Sequence, residues 1–274
     1  MNILLIQFSF IAVSKILVST GYPTSSARKT EIINLENESL TCQDLGNYPF
    51  GIYGGVGSNI GSLAVICGGT GGIGATSEKQ CYKLVAGEWQ QFATMTTRRH
   101  YAAVMGVGNS LMIFGGIDYS NINGVVDTYQ LQSTEIINEN GQVSQGPNMP
   151  ADDIESHAIA TVNASTLIIS GGRTTVWPYT YDYSRLTWYF NHVTQEFQEG
   201  PSLMEGRRMH ASGTVVDHET NENIVVVAGG YGGISLDSTE LLINGEWQQG
   251  KNHANNKNAF ICFFCVDVHF FLIF

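Results

Sequence analysis

The chain has 274 residues, 13 basic and 24 acidic, for a net charge of −11. That balance, with no lysine–arginine run, argues against nucleic acid or an anionic membrane as the main partner. Charged residues make up 14% and glycines number 31, which suits one large all-β domain, or two small ones, built from short strands and tight turns.

Residues 1–21 read as a secretory leader. Residues 3–13 are apolar apart from Gln7 and Ser9, and small residues suited to cleavage stand near position 21. An apolar core of this length is too short to span a bilayer. No positive charge precedes it, and an uncleaved membrane anchor is the alternative. Residues 22–29 form a linker. Two sequons, at Asn37 and Asn163, and five cysteines agree with export to an oxidising compartment.

From residue 30 to residue 250 the chain repeats itself. An apolar run closes on Gly-Gly four times, at Gly68-Gly69, Gly115-Gly116, Gly171-Gly172 and Gly229-Gly230, so the first glycines lie 47, 56 and 58 residues apart. Such a period marks a repeat fold. Each unit divides into four strands, a to d; in the second these run over 101–105, 111–114, 133–138 and 142–145. Ala102, Ala158 and Ala211 mark the start of strand a. Strand d carries a bulky residue at Trp89, Val143, Phe197 and Trp247. A four-stranded sheet cannot bury its faces alone, and radial stacking of such sheets solves that problem.

The apolar strand ending in Gly-Gly, the aromatics Tyr82 and Tyr189 on or near strand c, and the terminal Gly87-Glu88-Trp89 and Gly245-Glu246-Trp247 resemble kelch repeats. Two units depart from the pattern, with Val143 and Phe197 in place of the tryptophan. The resemblance implies a kelch-type β-propeller of four-stranded blades that works as a protein-binding module. The same fold houses a copper-dependent galactose oxidase, so a copper oxidoreductase is the alternative. The residues themselves point to no cofactor and no catalytic set: no nucleophile elbow, phosphate loop or zinc helix signature occurs.

Four full blades are legible, plus a half blade at Thr30–Leu45, because Thr30-Glu31-Ile32-Ile33-Asn34 copies strand c. Residues 251–274 are an atypical tail. Spacing puts Ala259–Val266 where strand a belongs and Val268–Phe274 where strand b belongs, yet no Gly-Gly ends that run. Either a five-bladed ring closes with an unusual tail, or the last blade is incomplete.

In a four-stranded blade the a–b and c–d turns share one face, which receives both sequons. The d–a and b–c loops share the other and are left free for a protein or glycan partner. That face carries Arg98, Arg99, His100, Arg207 and Arg208 on d–a loops, and Trp177, Tyr179, Tyr181 and Tyr231 on b–c loops. Arginine and aromatic residues dominate interface energetics. The two arginine pairs fall at equivalent repeat positions. They either ring the axis and attract a carboxylate-bearing peptide or an acidic glycan, or bridge neighbouring blades by salt bridges. Cys67 ends strand b and Cys81 lies on the adjacent strand c, which predicts a disulfide. Cys262 and Cys265 have a metal-like spacing without a second ligand pair. His157 and His210 occupy the place of Tyr101 and read as structural.

Overall fold

The computed structural model describes residues 15–19, 28–34, 41–71, 76–122, 125–151, 154–176, 180–217, 219–251 and 270–273. Every helix-or-strand element among them is a strand. The chain opens with β1 (Lys15–Ser19), β2 (Thr30–Asn34) and β3 (Thr41–Leu45). Then come β4 (Val56–Ile60), β5 (Leu63–Cys67), β6 (Gln80–Val85) and β7 (Glu88–Thr94). β8 (Ala103–Val107) and β9 (Ser110–Phe114) lead into a separate hairpin, β10 (Ile117–Ile122) with β11 (Val125–Gln130), before β12 (Thr134–Asn138) and β13 (Val143–Gln145). The next unit is β14 (Ala158–Thr161), β15 (Thr166–Ser170), a second hairpin of β16 (Arg173–Val176) with β17 (Thr180–Tyr183), then β18 (Thr187–Asn191) and β19 (Glu196–Glu199). β20 (Ala211–Val216), β21 (Asn223–Ala228), β22 (Thr239–Ile243), β23 (Glu246–Gln249) and β24 (Phe270–Ile273) complete the series.

These strands form five four-stranded antiparallel sheets: I (β24-β1-β2-β3), II (β4-β5-β6-β7), III (β8-β9-β12-β13), IV (β14-β15-β18-β19) and V (β20-β21-β22-β23). The first strand of each sheet lies against the first strand of the next, β24 on β4, β4 on β8, β8 on β14 and β14 on β20. The architecture is all-β and compatible with a blade-type fold, and the four repeat units of the sequence are sheets II to V.

The continuous apolar runs follow from burial on both faces. Successive residues of a strand point to opposite sides. On β5, Ala64 and Ile66 enter the core between I and II, whereas Val65 and Cys67 enter the core between II and III. On β9, Leu111 and Ile113 face sheet II while Met112 and Phe114 face sheet IV. Each interface thus has its own apolar core. Strand d adds its bulky residue: Trp247 on sheet V donates to the Pro201 carbonyl at 2.9 Å, and Trp89 on sheet II donates to Thr30 Oγ1 of sheet I at 2.8 Å.

All eight paired glycines take positive φ. Two chemical facts require it at Gly68-Gly69 and Gly171-Gly172. The second glycine donates its N–H to the carbonyl of Arg99 (2.9 Å) or Arg207 (2.8 Å). That same carbonyl occupies the space a Cβ on the first glycine would need.

Sheet I draws strands from both ends of the chain and changes the expected strand places in that blade. Lys15–Ser19, placed in the leader by its apolar character, is β1, paired in register with β2 on one side and β24 on the other. Leu17 is 1% exposed and packs with Tyr48, Ile52, Ala64 and Ile66. Ser19 Oγ lies 2.8 Å from Thr30 Oγ1. β1 therefore takes the strand-b place that spacing had given to Val268–Phe274, and β24, within that segment, takes the strand-a place instead. The expected strand a at Ala259–Val266 lies outside the described residues. The sequence carried a signal for β1: Ile16-Leu17-Val18-Ser19-Thr20-Gly21 reads like Leu167-Ile168-Ile169-Ser170-Gly171-Gly172, and Ser19 faces Thr30 as Ser170 faces Thr187.

Candidate functional site

The d–a connections meet the residues after each diglycine through isolated two-residue bridges: Tyr53 with Thr70, His100 with Ile117, Glu155 with Arg173, and Arg208 with Tyr231. The residue following each of the first four, Gly54, Tyr101, Ser156 and Met209, has φ between 51° and 64°. Their backbones join in series: Tyr101 donates to the Gly54 carbonyl at 2.7 Å, Ser156 to Tyr101 at 2.9 Å and Met209 to Ser156 at 2.9 Å. Buried donors need such partners, and this series ties four sheets together. It also fixes the repeat alignment. His157 and His210 match Ala102, not Tyr101, and Arg99 matches Arg207, so the two arginine pairs are offset by one residue rather than equivalent.

The offset separates the expected binding residues into two kinds. Arg99 and Arg207 are 1% and 0% exposed and do not line a surface. Arg99 Nη1 donates to the carbonyls of Gly115 (2.8 Å) and Ser133 (3.0 Å), and Nη2 to Glu135 Oε1 (2.6 Å). Arg207 repeats this with Gly229 (2.7 Å), Ser238 (3.2 Å) and Glu240 Oε1 (2.8 Å). Each carboxylate also accepts two backbone N–H groups of the arginine's own loop, Thr96 and Thr97 on Glu135, Met204 and Glu205 on Glu240. With the arginine carbonyl bound to the preceding sheet, each side chain bridges II to III or IV to V. Burial pulls the Arg99 guanidinium below its usual range and Glu135 opposes that shift.

Arg98 and Arg208 remain at the surface. Arg98 Nε pairs with Asp118 Oδ1 at 3.3 Å. Arg208 holds its guanidinium 5.6 Å from the Tyr231 ring centre and its Nη1 3.9 Å from Glu155 Oε1. Glu155 is fully buried and makes a close ion pair with Arg173, a residue the sequence did not single out. Ser156 Oγ donates to the other carboxylate oxygen at 2.9 Å. Tyr183 stands edge-on to Tyr231 at 5.5 Å. Two guanidiniums thus share one carboxylate beside two tyrosines. Trp177 and Tyr179 lie outside the described residues, and Tyr181 belongs to β17.

His100 is 8% exposed and bonds Ser77 Oγ through Nδ1 at 2.8 Å; the same hydroxyl accepts the Tyr119 N–H at 2.9 Å. The group latches sheet II's b–c loop to β10, so His100 is structural. Burial lowers its pKa to about 4, against a weaker opposing effect of the Ile117 carbonyl. His210 Nε2 lies 3.0 Å from Ser170 Oγ, and burial, then Arg207, then His157 bring its pKa to about 3. His157 is buried, and burial lowers its pKa to about 4 against a weaker opposing effect of the Phe114 backbone. Among the described residues no three His, Cys, Asp or Glu side chains gather as a metal site.

Cys67 and Cys81, directly opposed on β5 and β6, form the expected disulfide. Asn163 is exposed in the β14–β15 turn, at the strand ends away from the d–a loops. Asn37 lies outside the described residues. No family model matches the chain, and no curated protein matches it significantly.

Proposed function

We propose that this chain is an exported kelch-type propeller of five blades whose loop face binds a carboxylate-bearing protein partner. Five sheets with one strand order, each laid on the next by its first strand, support the propeller. The Cys67–Cys81 disulfide supports an oxidising compartment. Excision after Gly21 would remove β1, so in this reading the leader ends upstream of Lys15.

One observation carries the binding role. Arg173 and Arg208 converge on the carboxylate of Glu155 beside Tyr183 and Tyr231, which puts guanidinium and aromatic groups together on the d–a and b–c loop face. A partner carboxylate reaching the Arg208 guanidinium makes charge-assisted hydrogen bonds there. The exposed Asn163 sequon stands on the opposite side, so a glycan there leaves this face open.

The test uses an acetylated hexaglutamate amide titrated into the purified protein. Binding weakens as salt rises, and Arg208→Ala lowers affinity about tenfold, or about 1.4 kcal/mol. Unchanged affinity in Arg208→Ala, in a protein that keeps its melting temperature, refutes the role. Arg99 and Arg207 are unsuitable probes because each holds two sheets together.

A further inference from the structure

The arginine bridge is present at two of the four interfaces from I to V, and apolar or aromatic side chains take its place at the other two. Between II and III the space is filled by Arg99 on Glu135, and between IV and V by Arg207 on Glu240. Backbone pairing fixes the corresponding residues between III and IV. Ile154 precedes the Glu155–Arg173 bridge as Arg99 precedes His100–Ile117 and Arg207 precedes Arg208–Tyr231. Trp188 follows Thr187 as Glu135 follows Thr134 and Glu240 follows Thr239, each threonine facing the residue before a diglycine. Ile154 and Trp188 thus stand where those two interfaces hold an arginine and a glutamate, as Ile52 and Tyr82 do between I and II.

A cavity of about 450 Å³ opens beside this pair, lined by Ile154, Trp188, Phe197, Leu186, Ser184 and Glu199 among others. Glu199 lies opposite Trp188 in register, so both project on one side of sheet IV. Among the described lining residues its carboxylate is the one ionised group, and it is exposed.

We propose that this cavity receives an arginine side chain of a partner protein. At the equivalent position two other interfaces bury an arginine on a carboxylate; here Ile154 and Trp188 fill that position and the cavity lies beside them. Here Trp188 and Phe197 offer aromatic surface for a stacked guanidinium, Leu186 offers apolar surface for the stem, and Glu199 supplies the counter-charge. The volume falls in the range of about 300–1,000 Å³ typical of specific sites. The proposal is independent of the Arg208 site, which takes the opposite charge, so the failure of one leaves the other standing.

The experiment titrates acetylated, amidated Ala-Arg-Ala, Ala-Leu-Ala and Ala-Glu-Ala into the ¹⁵N-labelled full chain. The readout is the Trp188 indole N–H resonance, assigned with Trp188→Phe. The arginine peptide is expected to move that resonance with half-saturation at about 1 mM, as suits a single anchor, and Glu199→Gln to weaken it by about fivefold. Glu199 is exposed, so its replacement keeps the fold. A leucine peptide that binds as well as the arginine peptide, unaltered affinity in Glu199→Gln, or a stationary resonance up to about 10 mM overturns the proposal.

Discussion

Glu240→Gln is the sharpest test of the bridge between sheets IV and V. Arg207 and Glu240 are 0% and 1% exposed, with Nη2 and Oε1 2.8 Å apart. At an effective dielectric near 20 their attraction is about 6 kcal/mol. Desolvation of two ions costs about as much, so the intact pair adds little net stability. Removing one charge cancels this attraction and leaves the buried Arg207 with the half-exposed Glu205 carboxylate, 3.5 Å away, as its counter-ion. The retained amide still accepts from Met204 or Glu205, so the loss falls at about 3 kcal/mol, the lower end for a broken buried pair. The interface between III and IV shows the apolar alternative, Ile154 with Trp188. Arg207→Ile combined with Glu240→Trp should therefore lose at least about 2 kcal/mol less than the sum of the two single changes. Met204 and Glu205, 48% and 45% exposed by residue and side chain respectively, sit near solvent, so water can satisfy N–H groups the carboxylate releases. Urea titrations followed by tryptophan fluorescence give the midpoints. A loss under about 1 kcal/mol in Glu240→Gln, or simple additivity in the double variant, refutes the bridge as described.

The buried histidines set an acid limit. His100, His157 and His210 titrate at about 4, about 4 and about 3 when folded, against 6.5 when unfolded. The unfolded chain therefore binds protons first as pH falls, so their contribution is full above 6.5 and is lost between 6.5 and about 4. Between pH 7 and 5 each histidine removes about 2 kcal/mol; His210→Gln should flatten the slope of urea midpoint against pH, and an unchanged slope rejects this cause. Reducing Cys67–Cys81, which closes a 14-residue separation, should cost about 3 kcal/mol on loop entropy alone, measured as the midpoint shift in Cys81→Ser. Leu17→Ala should cost about 2–5 kcal/mol if β1 belongs to the folded protein. Mass spectrometry of exported protein should accordingly find the N-terminus at or before Lys15, and a mature chain starting at Tyr22 would contradict this.

The repeat, its four-strand division, the disulfide and the turn chemistry were legible because they depend on local conformation. Gly-Gly marks a place where only glycine fits, and an apolar run marks a strand buried on both faces. β1 was not read as a strand because an export core and a buried strand use the same apolar residues, such as Leu17, and local pattern does not distinguish lipid from protein as the surrounding medium. The Thr20-Gly21 ending, a weakened diglycine, was the clue.

The candidate site was legible only as a region. Sequence put arginines on the d–a loops but left open whether they ring the axis or bridge neighbouring sheets, and it aligned the two pairs side by side. Burial depends on which of two consecutive side chains turns inward, and that is decided by one-residue register across the Tyr101, Ser156 and Met209 hydrogen bonds. Arg173 drew no notice because its partner, Glu155, is 18 positions away in the chain. Chain chemistry by itself determined the four-strand units of sheets II to V and the glycine pairs that end their second strands, since these follow from backbone freedom and hydrophobic pattern. It did not determine β1, or the hairpins β10–β11 and β16–β17, which stand where loops were expected. Tertiary structure alone decided which arginines are buried bridges, which one stays available, and which interface kept an open cavity, because charge pairing and packing arise between sheets that the sequence keeps about fifty residues apart.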